Sequence, residues 1–311
     1  MMTLDEKFKA IGAENAPGQE GRQKIDDLDS MMRGEKIAGV LVDFSHGDVD
    51  AFAPTPGADA LWMEGYQKGA AQAYTQYRGS AEIAQGLAKR LGAFTGRAIA
   101  AESELIITPG TQGALFLALG ALVGAETKVA VIAPDYFANR KIVTYLGGIV
   151  VPIPLHYGKD QSQNGPDLEV LERAFKEGVE VLVFSTPNNP TGVIYSKESI
   201  NKIAKLAQQY DVSVIVDQLY SRLLYSGESY THLRACESVP ENIITIMGPS
   251  KTESLSGFRL GVAFGSAALI ERMERLQAIV SLRAAGYNQA VLSGWLDESP
   301  GWLQALIKKH E

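Results

Sequence analysis

Cysteine is nearly absent from this chain. Cys236 stands alone among 311 residues, so no intrachain disulfide can form and a reducing, cytoplasmic setting is expected. Histidine is scarce as well: His46, His156, His232 and His310 are too scattered for ligand spacing, and no metal is expected. Positive charge is not in excess. With 29 Lys and Arg against 36 Asp and Glu, the net charge is −7, which argues against nucleic acid or an anionic membrane as the main partner. No uninterrupted apolar run is long enough to span a bilayer, and Met1 to Lys7 lacks the basic-then-apolar pattern of a signal peptide. A Gly-x-Ser-x-Gly elbow, a Walker-type lysine loop and internal repeats are also missing. What is present is an ordinary globular composition, long enough for one large domain and a smaller one.

Seven runs read as buried strands: Leu105–Thr108, Lys128–Ala133, Gly148–Ile153, Glu180–Ser185, Val212–Asp217, Ile243–Met247 and Leu260–Phe264. Helical patterns cover Leu61–Ala73, a segment to Leu91 with Ser80 as its cap, Gln112–Val123 opened by Thr111, Ala138–Leu146, Leu168–Lys176, Lys197–Tyr210 and residues 265–284. Val40 to Asp48 reads as a further short strand running into a turn, after a polar arm with a helical patch at Asp26 to Met32. Alternation of this kind predicts an α/β fold with a mostly parallel seven-stranded sheet covered by helices. The expected division is an N-terminal arm with part of a small domain over 1–60, a large domain over 61–285, and the start of a further, incomplete small domain over 286–311. In such sheets ligands sit beyond the carboxyl ends of the strands. The polar exceptions of this sequence cluster there.

Lys251 comes after the run Ile243–Met247 through a Gly248-Pro249 turn. Burial lowers a lysine's pKa and frees its amine to form a Schiff base. Arg259, eight residues on beside Gly257, suits a phosphate dianion that it can grip bidentately. An aldehyde-binding lysine and a phosphate-binding arginine describe the two ends of pyridoxal 5′-phosphate. A solitary lysine is ordinarily a solvated one, so the case depends on other stretches. Thr108-Pro109-Gly110-Thr111-Gln112-Gly113 is a strand–turn–helix start, either an anion site or a plain cap. In Phe184 to Gly192, Asn189 is locked before Pro190 and can donate to a ring phenolate. Asp217 ends an apolar strand, where it either caps the next helix or pairs with a pyridinium nitrogen, and Tyr220 could share the phenolate with Asn189. Tyr136, in Ala133-Pro134-Asp135-Tyr136-Phe137, is an aromatic able to stack on the ring or a core tyrosine.

Together these stretches, with Gly257-Phe258-Arg259-Leu260-Gly261 and the Asn188-Asn189-Pro190-Thr191-Gly192 turn, resemble the class I/II aminotransferases, the fold type I pyridoxal-phosphate enzymes. The resemblance implies Lys251 as the Schiff-base lysine, Arg259 as the phosphate arginine and Asp217 as partner of the ring nitrogen. It puts Asn189 and Tyr220 on the ring oxygen, Tyr136 against the ring, and Gly110, Thr111 and Gln112 in the phosphate-cradling turn, with Ser250 as an added contact. Tyr74 is similar to a tyrosine reaching the phosphate of the neighbouring subunit, with Tyr77 the competing choice. Gly47, in Ser45-His46-Gly47, resembles a loop that closes over the substrate carboxylate. Arg283 falls near an arginine that reads acidic side chains across the dimer, although a surface arginine at a helix end is the plainer reading.

The chain departs from the family pattern in two places. Gly248 stands where some members carry a phosphate-binding serine, and no residue matches the C-terminal arginine that grips the substrate α-carboxylate. The expectation is a homodimeric, cytoplasmic enzyme moving an amino group between an amino acid and a 2-oxo acid. Lys251, Asp217 and Tyr220 would be its catalytic residues, and Gly47, Asn189 and Arg283 its substrate contacts. A lyase, decarboxylase or oxidase on the same scaffold, or a non-catalytic protein that holds the cofactor, are the alternatives.

Overall fold

The computed structural model describes residues 3–12, 52–158 and 164–311. The strand expected at Val40–Asp48, the helical patch at Asp26–Met32 and the Gly47 loop lie outside the described residues. A short helix α1 (Leu4–Ile11) is followed by α2 (Ala58–Gln67), α3 (Ala70–Ala73) and α4 (Ala81–Thr95). The single helix expected over Leu61–Ala73 is thus two, because Gly69 at φ 59° turns the chain between them. Ser80 does stand before α4, but its side chain makes no cap bond; its N–H donates to Gln289 Oε1 at 2.8 Å.

The sheet then builds in alternation: β1 (Leu105–Pro109), α5 (Gly110–Leu122), β2 (Lys128–Ala133), α6 (Phe137–Leu146), β3 (Ile149–His156), β4 (Gly165–Pro166), α7 (Leu168–Lys176), β5 (Val181–Ser185), α8 (Lys197–Gln209), β6 (Ser213–Asp217), β7 (Ile243–Met247), β8 (Leu260–Gly265) and α9 (Ala267–Val280). Its order is β1-β8-β7-β6-β5-β2-β3-β4, eight strands rather than seven. The eighth, β4, is two residues paired antiparallel to the end of β3, too short to leave a periodic signal. From β7 through β6, β5 and β2 to β3 the strands are parallel, while β8 runs antiparallel to both β1 and β7.

Strand residues alternate between two cores, as period-2 pleating requires. Ala130, Ile132, Leu182, Phe184, Val214 and Val216 face α7 and α8. Val129, Val131, Val181, Val183 and Ile215 face the other side, with α5, α6 and α9. Helix α5 is apolar nearly all round because it lies within this second layer, where Leu115, Leu117, Ala118 and Leu119 are essentially unexposed. Helix α9 is shorter than the pattern over 265–284 suggested; it stops at Val280, and Leu282 at φ 62° turns the chain away.

A third core packs α4 against β1 and β8, and it includes Val291, Leu292 and Trp295. Residues Tyr287–Ser293 form 3₁₀ turns, and Asn288 ties α2 to the β8 approach: its Oδ1 accepts from Trp62 Nε1 at 2.9 Å and its Nδ2 donates to Phe258 O at 3.0 Å. Packing therefore continues across the expected division at residue 285. The described chain ends in α10 (Trp302–His310).

Candidate active site

Parallel register brings the carboxyl ends of β2, β5, β6 and β7 to one edge of the sheet, with Ser185 opposite Asp217 and Asp217 opposite Ile246. A cavity of about 200 Å³ opens there, lined by Thr111, Gln112, Tyr136, Asn189, Asp217, Tyr220, Ser250, Lys251 and Arg259. The chain gathers these from turns far apart in sequence. A larger cavity of about 650 Å³ adjoins it through Asn189 and Tyr220 and extends along the 187–194 turn to Ile307 and His310 of α10. The converging charged groups are in the smaller one.

At one end of that cavity α5 begins without a side-chain cap, so the N–H groups of its first turn are available to an anion. Gly110 sits there at φ 76°, and a Cβ on it would stand 2.7 Å from Arg259 Nη2. Arg259, itself at φ 52°, is held with its guanidinium beside this helix start by a 3.1 Å bond from Nη1 to Ser256 O. Absence of a side chain at Gly110 is therefore what lets a guanidinium and a helix N-terminus face the same point. Gly248 has a similar reason: a Cβ there would lie 2.7 Å from Thr111 Cγ2, so Thr111 fills the space a serine would take.

Asp217 lines the cavity as well. Its Oδ1 accepts the Leu219 N–H at 3.0 Å, and among the described residues no cation pairs with it. Burial raises its pKa to about 6, opposed by the Leu219 bond. Tyr220 is pushed up to about 12 by burial and then by the negative fields of Asp217 and Tyr136. Lys251 lines the same cavity from the β7–β8 loop, half-buried, and among the described residues its amine has no hydrogen bond or ion pair. Ser250 beside it is buried.

Tyr136 and Asn189 also line the cavity, and two residues to which the sequence attached no role hold them. Asp135 accepts the Tyr136 N–H at 2.6 Å, the Ser185 N–H at 2.9 Å and the Ser185 hydroxyl. Ser185 Oγ in turn accepts the Asn189 N–H at 3.1 Å. Burial lifts Asp135 to about 7, with the Ser185 and Tyr136 bonds opposing and Asp217 adding to it. Asn188 ties the rest of the turn: its Oδ1 accepts the Thr191 hydroxyl at 2.6 Å, and its own N–H donates to Val193 O at 2.8 Å. Tyr136 is steadied by its hydroxyl, which donates to Gln112 Oε1 at 3.1 Å.

Tyr74 and Arg283 are brought together, but not here. The Arg283 guanidinium lies 3.5 Å from the centroid of the Tyr74 ring and 5.0 Å from that of Tyr77, outside the Lys251 cavity of their own chain.

The donor set fits pyridoxal 5′-phosphate. An uncapped helix start with a guanidinium answers the phosphate, a carboxylate unpaired among the described residues answers a protonated ring nitrogen, and the Lys251 amine lines the same cavity.

The family model for aminotransferase class I and II matches residues 41–311. The chain is 32% identical over 215 residues to the aspartate/prephenate aminotransferase of Thermus thermophilus, covering 68% of this chain and 54% of that protein. It is 30% identical over 232 residues to human kynurenine–oxoglutarate transaminase 3, covering 72% of this chain and 51% of that one. Among solved structures, an aspartate aminotransferase from Rhodobacter sphaeroides superposes with a TM-score of 0.91 at 58% identity, over 99% of this chain and 76% of that one. The chain spans about half to two-thirds of the length of the curated relatives it matches.

Proposed function

This chain belongs to the class I and II aminotransferase family, and from that premise we propose that it is a pyridoxal-phosphate-dependent aminotransferase exchanging an amino group between an amino acid and a 2-oxo acid. The observation that carries the reading is Asp217: a carboxylate that no cation pairs with among the described residues, lining the same cavity as Lys251. Pyridoxal 5′-phosphate, when bound, supplies an aldehyde that carries the amino group and a protonated ring that takes up electron density.

The chain's own residues then divide the work. The first turn of α5, Thr111, Ser250 and Arg259 would hold the phosphate. Asp217 would keep a proton on the ring nitrogen, which answers its own unpaired charge. Asn189 and Tyr220 would donate to the ring oxygen, and Tyr136 would offer an aromatic surface to the ring. Lys251 would supply the amine that the aldehyde needs and the base for the proton of the substrate Cα.

The positions of Tyr74 and Arg283, together and outside the Lys251 cavity of their own chain, support a homodimer with shared sites. Beside them Ile279, Val280 and Leu282 are exposed, an apolar surface suited to a second copy. The single cysteine supports a reducing, cytoplasmic setting. Aspartate is the donor to assay first, because the Rhodobacter sphaeroides relative is an aspartate aminotransferase. The test is amino transfer from a panel of amino acids to 2-oxoglutarate, comparing wild type with Lys251→Ala. Wild type should yield the matching 2-oxo acid without ammonia or carbon dioxide, and the variant should retain cofactor affinity but lose turnover. Near-normal turnover by Lys251→Ala would sink the assignment.

A further inference from the structure

Beside the cavity a buried ionic contact joins the two segments that carry Tyr220 and Lys251. Arg222 stands two residues beyond Tyr220, and Glu253 two residues beyond Lys251. Each pair sits within a tight turn. Leu223 N–H donates to Tyr220 O at 2.9 Å and Ser221 N–H to Gln218 O at 3.0 Å; Leu255 N–H donates to Pro249 O at 3.1 Å and Ser254 N–H to Lys251 O at 3.3 Å. Arg222 thus lies within the turn that carries Tyr220, and Glu253 within the turn that carries Lys251.

Between the turns, Arg222 donates to Glu253 Oε1 and, through Nη1 and Nη2, to the two oxygens of Glu298 at 2.9 and 2.8 Å. The side chains of Arg222, Glu253 and Glu298 retain only 6%, 1% and 8% exposure, so neither charge can turn to solvent instead. Thr55 N–H closes on the Glu253 carbonyl at 3.0 Å, Trp295 lies against its carboxyl, and Arg90 of α4 and Asp297 flank Glu298. Arg222 thus serves two carboxylates at once. Burial first, and then repulsion from Glu298, leave Glu253 at about 7 despite Arg222. A buried pair of this kind is weak as a source of net stability and better suited to fixing register.

We propose that the Arg222–Glu253 pair is a positioning link that sets the Lys251 amine against the Tyr220 hydroxyl; this rests on the cofactor assignment above. Neither residue lines the Lys251 cavity, and Glu298 serves to neutralise Arg222.

Three variants test it: Glu253→Leu removes the link, Glu253→Gln keeps its shape without its charge, and Glu298→Gln leaves it in place. Three quantities are read well below the unfolding temperature of each: the dissociation constant for pyridoxal 5′-phosphate, the fraction of bound cofactor trapped on Lys251 by borohydride at saturation, and the melting temperature of the cofactor-free protein. Glu253→Leu should weaken binding about tenfold and lower the trapped fraction, and Glu253→Gln should weaken binding about threefold, as expected for losing a charge-assisted bond. Glu298→Gln should alter the melting temperature while affinity and trapping stay within about twofold of wild type. If Glu253→Leu does not fold, Glu253→Gln decides alone. Wild-type uptake with both Glu253 variants unchanged in affinity and trapping overturns the link alone. A wild type that takes up no cofactor overturns the assignment and the link together.

Discussion

Replacing Asp217 by asparagine should make the cofactor-free protein more stable while making it a poorer enzyme. Burial raises this carboxyl from 3.8 to about 6, so the folded state holds the proton more tightly than the unfolded one. Above about pH 6 the folded protein must carry a buried charge, and stability is lost; below the unfolded value the group is protonated in both states and the cost is gone. At about 1.4 kcal/mol per pH unit the cost comes to ~3 kcal/mol at pH 8 and roughly half of that at pH 5. Asp217→Asn removes it. Urea unfolding of the cofactor-free proteins should therefore give the variant an advantage of ~2–3 kcal/mol at pH 8, holding down to about pH 6 and then shrinking toward pH 4. The same variant should bind pyridoxal 5′-phosphate more weakly and lose most of its turnover, since the amide cannot offset a pyridinium charge. A variant no more stable than wild type at pH 8, or an advantage that does not shrink with acid, would refute the claim that Asp217 waits for a cation.

Single contacts elsewhere in the site carry expectations of their own. Arg259→Lys keeps the charge but not the fork, so cofactor affinity should fall about tenfold, by equilibrium dialysis, with the fold intact. Gly110→Ala puts a Cβ 2.7 Å from that guanidinium at a φ of 76°, and should cost about 1–2 kcal/mol in unfolding besides weakening cofactor uptake. Asp135→Ala leaves the Ser185 hydroxyl and the Tyr136 N–H without their acceptor; turnover should drop at least about tenfold, with a lower melting temperature. Ile279→Asp on the exposed end of α9 should shift the sedimentation coefficient from dimer toward monomer.

Strand positions were legible because their residues alternate between two buried faces or sit in continuous apolar runs, and the polar residues ending those runs marked the site. Lys251, Asp217, Asn189, Tyr220 and Arg259 meet in one cavity for that reason. Asp135 and Ser185 were not legible as a pair. They lie on neighbouring strand ends 50 residues apart, and only parallel pairing of β2 with β5 brings a carboxylate to a hydroxyl. The same holds for Arg222 and Glu253, which look like surface charges until two loops close over them. Local signals also failed where tertiary packing prevailed: Ser80 precedes α4 as a cap should, yet Gln289 takes its N–H and its hydroxyl caps nothing. Gly248 reads as a lost phosphate contact in sequence, but in space it is room for Thr111.

The most direct test of the central claim is to incubate the protein with pyridoxal 5′-phosphate, reduce with borohydride and map the modified peptide. A coloured complex and one phosphopyridoxyl group, on Lys251, are expected. A folded protein that develops no colour, or carries the group on another lysine, would contradict it.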